Sequence, residues 1–461
     1  MHFRQYYLAC LSHASYLIGD TSTGRAVVVD PQRDVSGYLA DARAAGLTIE
    51  RVIETHFHAD FLSGHLELQR ATGAVISYGT IGAARTEFPA EALADGHRLS
   101  LGEVVLEIRD TPGHTPESIS IVVWEREGDE APYGVLTGDT LFIGDVGRPD
   151  LLSAFGESSD GLARKLYRSL RERLLTLPDA TRVYPAHGAG SACGKHLSTE
   201  TVSTIGEQRR TNYALAPMSE DEFVRVVTEG QSAAPLYFSF AATRNREARE
   251  AFDESAAVPA LSIESALAAR DAGAVLLDVR EPADFALAHL RGSVNVGLSG
   301  RFAEYAGEVV RAEQRIVLVG PAAAVAEART RLGRIGFDRV DGALTDPESA
   351  FVARPGEVAA ASRLTAAQAA ERIAAVPDLQ VVDVRGPGET ADGTLPGAVL
   401  LQLPTLLARA TELDPARPTL VYCAGGYRSS IAASTLRRLG FADVSDLVGG
   451  YGAWAQASVR A

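Results

Sequence analysis

The sequence predicts a mixed α/β protein, one large domain followed by two small domains with parallel sheets. Three observations carry this. Roughly the first 250 residues alternate short β-rich runs with loops and a few helices. The rest alternates strand and helix twice over, as an internal repeat. And 461 residues are more than one ordinary core organises.

In chain order, residues 26–30, 74–77, 104–108 and 119–123 read as strands, because β-branched and apolar residues crowd into short runs. Residues 36–45 and 161–177 read as helices from their apolar spacing. The small-residue stretch 255–260 reads as a linker. Beyond it, 275–280 (VLLDVR) recurs as 380–385 (QVVDVR), 289–294 answers to 394–399, and 334–337 answers to 438–441. The expected domains are therefore 1–253, 261–355 and 362–461.

Hydrophobic residues at 46% and charged residues at 22% fit a soluble globular chain. A formal net charge of -15 argues against nucleic acid or an anionic membrane surface as the main partner, while leaving small anions open. Cys10, Cys193 and Cys423 lie far apart, which argues against a disulfide framework and for a reducing cytoplasm. The first residues lack the pattern of a signal peptide, and no apolar run is long enough for a bilayer. The sequence leaves a homo-oligomer open.

Thr55-His56-Phe57-His58-Ala59-Asp60-Phe61 follows a strand-like run. Two imidazoles and a carboxylate at a strand exit suit a metal ion. Further candidates end other strands: His114 in Asp110-Thr111-Pro112-Gly113-His114, Asp139 after 135–138, and His187 after 182–186. Such strand-end loops gather at one rim of a sheet scaffold.

The pattern His56-x-His58-x-Asp60, His114, Asp139 and His187 resembles the metallo-β-lactamase fold in its glyoxalase II branch. That resemblance implies a four-layer αββα sandwich over roughly the first 250 residues. Members with two metals carry a histidine directly after the aspartate. Phe61 stands there and cannot coordinate, so a mononuclear centre is expected, with His65 on a helix surface. Residues 137–142 (TGDTLF) and Gly147-Arg148-Pro149-Asp150 are similar to the persulfide dioxygenases. This implies one Fe(II) per chain on His56, His114 and Asp139, with His58, Asp60 and His187 orienting ligands or substrate. Arg148 either pairs with a substrate carboxylate or braces the ligand loop. The implied partners are O2 and a low-molecular-weight persulfide, glutathione persulfide first, with sulfite and thiol as products. The rival is a zinc-dependent, glyoxalase II-like thioester hydrolase, and a non-catalytic sulfur carrier is the third reading.

In the last domain an apolar strand ends in Cys423-Ala424-Gly425-Gly426-Tyr427-Arg428-Ser429, with a helix expected to start near Ser429. Backbone N–H groups of such a loop stabilise a thiolate and a bound anion. The segment resembles the rhodanese active-site loop, supported by Asp383-Val384-Arg385 and Gly449-Gly450-Tyr451-x-x-Trp454. It implies Cys423 as nucleophile, Arg428 as catalytic partner, and Ala424, Gly425, Gly426, Tyr427 and Ser429 as the sulfur-binding loop. The chemistry implied interconverts persulfide plus sulfite with thiosulfate. In the middle domain Gly320 takes the cysteine position, so that copy is expected to be silent, a spacer or docking module. Asp392-Gly393-Thr394 stands where family members often have Gly-His. Cys193, with Lys195 nearby, reads equally as a packing cysteine or a sulfur relay, and Cys10 reads as core.

Overall fold

The computed structural model describes residues 1–151, 157–391 and 393–459. They form two compact units: Met1–Gln231 with Phe238–Glu254, and Ser232–Tyr237 with Ser255–Ala461. Asp392, marked from sequence as a departure from the rhodanese pattern, lies outside the described residues.

The first unit is built on two six-stranded sheets. One runs in order through β1 (His2–Leu8), β2 (His13–Asp20), β3 (Arg25–Val29), β4 (Thr48–Ile53), β5 (Val75–Gly79) and β6 (Glu91–Leu93). The other contains β7 (Arg98–Ser100), β8 (Val105–Asp110), β9 (Ile119–Trp124), β10 (Gly134–Gly138), β11 (Arg182–Pro185) and β12 (Ser203–Thr204). Strand alternation explains the layering. Tyr16, Ile18, Val27 and Val29 face inward onto Leu106, Ile108, Ile121 and Leu136 of the opposite sheet. Their neighbours Leu17, Ala26 and Val28 face outward, onto Tyr38 of α1 (Ser36–Ala44) and Leu68 of α2 (His65–Thr72). On the far side, Val122, Val135 and Val183 cover Ala163 and Leu166 of the helix Ser159–Arg168. The result is the αββα order expected from sequence.

Residues 161–177 are not one regular helix. Ser159–Arg168 continues as a wider π segment, Ser169–Leu174, and Leu175 N–H reaches back to the Leu170 carbonyl at 2.8 Å. The Ser169 hydroxyl donates to the Pro112 carbonyl (2.7 Å), which ties this segment to the loop before His114.

The second unit holds two parallel sheets. In the first, Val275–Asp278 is flanked by Val294–Asn295 and Ile316–Val319, with Val340–Leu344 at the edge. In the second, Gln380–Asp383 lies between Ala398–Leu400 and Thr419–Tyr422, followed by Val444–Leu447 and Ser362–Leu364. The repeated Asp-x-Arg does the same work in both. Arg280 makes a forked pair with Asp278, and Arg385 with Asp383. Among the described residues no helix is long and apolar enough to cross a membrane.

Candidate metal centre and sulfur-transfer loop

The C-terminal ends of β3, β4, β8, β10 and β11 open at one rim, and their loops carry Asp30, the 54–60 segment, His114, Asp139 and His187. Asp139 is the hub. His114 Nε2 lies 3.4 Å and His56 Nε2 3.8 Å from its Oδ2, and His187 Nε2 lies 3.5 Å from its Oδ1. Asp60 completes the edge, 3.4 Å from His187 Nε2.

Which ring nitrogens face this point follows from the other side of each ring. His114 Nδ1 donates to the Arg148 carbonyl (2.9 Å) and His187 Nδ1 to the Ser12 carbonyl (3.2 Å). The Thr55 hydroxyl gives its proton to Asp30 (2.9 Å), so its oxygen accepts from His56 Nδ1 (3.0 Å). Each imidazole therefore turns a bare Nε2 lone pair toward Asp139. Both Asp139 oxygens and His187 Nε2 are buried and meet no N–H or O–H donor among the described residues. Buried polar atoms left this way are costly unless something else satisfies them. His56, His114 and Asp139 bring one ligand atom each within 4.8 Å of one another, and this donor set fits a divalent metal ion.

The electrostatics agree with that fit. Burial, reinforced by the surrounding imidazoles, pushes His56 well below the ordinary histidine range. Burial takes His114 down to about 3, against its bond to the Arg148 carbonyl, and lowers His187 against the pull of Asp139. Burial also raises Asp139 to about 6. Neutral imidazoles are the ligating form.

His58 differs. Burial opposes its charge, yet Asp30, Glu54 and Asp60 hold its pKa at about 9. Its Nε2 sits 3.1 Å from Asp30 and 3.6 Å from Glu54, turned to the acidic pair behind the rim. His58, Asp60 and His187 also come within ligand range of one another, but Phe61 packs against His58, with ring centres 4.3 Å apart.

Two sequence expectations are corrected here. His65 is not on a helix surface: it is fully buried at the start of α2, 3.3 Å from Glu54, because α2 packs onto the end of β4. Cys10 is not core: it is half-buried in the turn after β1. The Arg148 guanidinium forks onto Asp150 (2.8 and 2.6 Å), and a further N–H reaches the Ala192 carbonyl. Cys193 is buried within ligand range of Asp139 and His187, and burial raises its thiol well above the usual range. Lys195 points away from it, with Nζ on the Val226 carbonyl (2.9 Å). Gly147 explains one glycine of the sequence motif: a Cβ there would sit 1.9 Å from the Asp139 carbonyl oxygen.

Sequence reasoning missed Asp30, Glu54, His13 and Asn245. Asp30 ends an apolar strand, the same signal that marked Asp139, and it holds both the Thr55 N–H (2.7 Å) and hydroxyl. Asn245 clamps the ligand loop by donating to the His58 and Phe61 carbonyls (2.8 and 2.9 Å). His13 stacks on Phe61 with ring centres 3.9 Å apart. Neither His13 nor Asn245 carries a sequence signal, because each meets the loop only through the fold.

In the second unit, Cys423 is buried at the end of Thr419–Tyr422. Gly426 N–H donates to its sulfur (3.1 Å), and the Ser429 hydroxyl lies 3.6 Å away. Gly426 has φ of +96°, which a side chain would resist, and this turn aims its N–H at the sulfur. The helix starts at Tyr427, two residues earlier than expected. Arg428 forks onto Glu389 at 2.7 and 2.6 Å.

Family models match stretches of both units. The metallo-beta-lactamase superfamily model matches residues 8–187, and the rhodanese-like domain model matches 262–341 and 365–457. The chain is similar to persulfide dioxygenase ETHE1, mitochondrial, of Bos taurus: 30% identical over 233 residues, spanning 50% of this chain and 82% of that one. The Homo sapiens counterpart gives the same values. It is also similar to cytoplasmic hydroxyacylglutathione hydrolase of Arabidopsis thaliana, 33% identical over 40% of this chain and 66% of that one. Among solved structures, a metallo-beta-lactamase from Staphylococcus aureus subsp. aureus COL is 32% identical with a TM-score of 0.67, over 74% of this chain and 98% of that one. The bare-nitrogen rim around Asp139 and the sulfur loop at Cys423 thus sit in a chain that belongs to the persulfide dioxygenase family of the metallo-β-lactamase superfamily, followed by rhodanese-like domains.

Proposed function

We propose that the chain oxidises a low-molecular-weight persulfide, glutathione persulfide first, to sulfite and thiol, and that Cys423 exchanges sulfane sulfur with sulfite and thiosulfate. The observation that carries the first half is the convergence of His56, His114 and Asp139, with Nδ1 of both rings committed elsewhere. One Fe(II) bound there would supply redox electrons and open positions for O2 and sulfur. The chain's own residues do the rest. Asp30, through Thr55, and the Arg148 carbonyl hold the two ligating rings in one tautomer. Phe61 and His13 exclude water on one side, and Asp60 with His187 forms a polar edge for the substrate.

At the second site a persulfide's outer sulfur passes to the Cys423 thiolate: the S–S bond breaks, thiolate leaves, and a cysteine persulfide remains. Sulfite then attacks that outer sulfur, giving thiosulfate and regenerating the Cys423 thiolate. Gly426 N–H and Ser429 stabilise the anionic sulfur in both steps. The domains proposed are 1–253, 261–355 and 362–461, the middle one lacking a nucleophile at Gly320.

The second reading is a zinc thioester hydrolase, favoured by the His58, Asp60 and His187 cluster. Against it stand Phe61, where a ligand would be needed, and the hold of Asp30 on His58. Sulfite and thiosulfate are to be measured after adding glutathione persulfide to aerobic protein loaded with iron or with zinc. Sulfite formation with O2 uptake in the iron form alone supports oxidation. Turnover of a glutathione thioester by the zinc form, without O2 uptake in the iron form, supports hydrolysis. A Cys193→Ser variant with unchanged oxidation kinetics would remove the relay role.

A further inference from the structure

The middle domain reads from sequence as a spacer, yet it is tied to the sulfur loop by buried polar contacts. Asn295 N–H donates to the Ser434 hydroxyl (3.0 Å), and the Ser430 hydroxyl donates to Asn295 Oδ1 (3.3 Å). Asn295 is itself pinned, its side-chain amide donating to the Asp278 and Arg280 carbonyls at 3.0 and 2.8 Å. The Tyr427 hydroxyl donates to the Gly297 carbonyl. Buried hydrogen bonds of this kind are lost at a cost if the two surfaces slip, so they fix one register.

Next to these ties, the helix Phe302–Val309 presents Tyr305 edge-on to Tyr427, ring centres 5.5 Å apart. Gly300 also approaches it, and a Cβ there would stand 3.4 Å from the Tyr427 ring. Arg428 follows Tyr427 directly, and Tyr305 and Glu308 both act on its charge. Glu304 and Glu308 are buried one turn apart, with Arg301 paired to Glu304. Arg428 is thus faced by Glu389 from its own domain and by Tyr305 and Glu308 from the middle one, with Arg301 and Glu304 next to Glu308. Arg331 lies near Tyr427.

We propose that the cysteine-less domain holds the Cys423 loop in its working geometry, with Tyr305 the positioning residue that fixes Tyr427 and Arg428. The link to chemistry is short. Gly426, whose N–H stabilises the sulfur, directly precedes Tyr427, so a displaced Tyr427 turns that N–H off its target. This rests on the sulfurtransferase reading of Cys423.

The test uses the full chain and its Tyr305→Ala and Tyr305→Phe variants. Sulfur transfer is followed with thiosulfate as donor and cyanide as acceptor. The pH profile of Cys423 alkylation by iodoacetamide is read by peptide mass spectrometry. Tyr305→Ala is expected to raise the KM for thiosulfate about tenfold. It is also expected to move the alkylation profile up by about one pH unit. Tyr305→Phe, which keeps the ring against Tyr427, stays close to the parent in both. Unchanged KM and alkylation in Tyr305→Ala overturn the proposal. Should that variant fail to fold, Tyr305→Leu removes the ring against Tyr427 while keeping apolar volume on the helix. An upward alkylation shift there supports the proposal and an unchanged profile overturns it. A parent chain that moves no sulfur from thiosulfate defeats the sulfurtransferase reading, while the alkylation profile still decides the loop geometry.

Discussion

At Phe61, one ring packs against both His13 and His58, with centres 3.9 and 4.3 Å away, at the position where a two-metal relative would place a ligand. That a ring and not a ligand stands at this position was legible from a single letter of sequence. The role of Asp30 was not, because its importance comes from two bonds to Thr55 and the neighbouring His58, all made across strands. Removing its charge should loosen the tautomer lock on His56. Asp30→Asn is expected to lower metal affinity by about 10–100-fold, measured by chelator competition, with the fold retained by circular dichroism. A metal affinity equal to the parent's would show that Thr55 alone orients the ring. His65 was misread because helical spacing predicts a face but not which neighbour covers it. Here Glu54 and Phe88 do.

At the scale of elements, strands were read better than their surroundings. The runs ending at Asp30, Ile108, Val123 and Asp139 lie on or beside observed strands, since β-branched alternation is a local signal. The π turn after Arg168 was not legible, because it answers to packing on the His114 loop through Ser169. The short strand His289–Leu290 shows how packing sets a titration. His289 is stacked on Phe285 and donates Nδ1 to that residue's carbonyl. Burial is the main cause that takes it to about 4, with Arg437, Arg280 and Arg291 adding to it. A histidine lowered in the folded state stabilises above its unfolded pKa, near 6.5. That contribution is lost as pH falls toward 4. The denaturation midpoint of the second unit should therefore drop over that window, and His289→Gln should flatten the slope. An equal slope in the variant would assign the acid sensitivity elsewhere.

For the whole molecule, the order of a metallo-β-lactamase fold and two rhodanese-like copies was readable because each part carries its own motif. What the middle copy does was not, since a missing cysteine says only what it lacks. Two separate chemistries predict separable losses. Cys423→Ser should leave persulfide-dependent O2 uptake largely intact and abolish thiosulfate:cyanide transfer. His114→Ala should do the reverse, with uptake falling by about two orders of magnitude or more. Joint loss in the Cys423 variant would mean that persulfide must pass through that sulfur before oxidation.

The central claim is a single redox-active metal on His56, His114 and Asp139. Anomalous diffraction at the iron and zinc edges, on freshly purified active protein, tests it most directly. The account predicts one iron peak within bonding distance of those three side chains and none beside His58. Two zinc peaks, one of them shared by His58, Asp60 and His187, would contradict it.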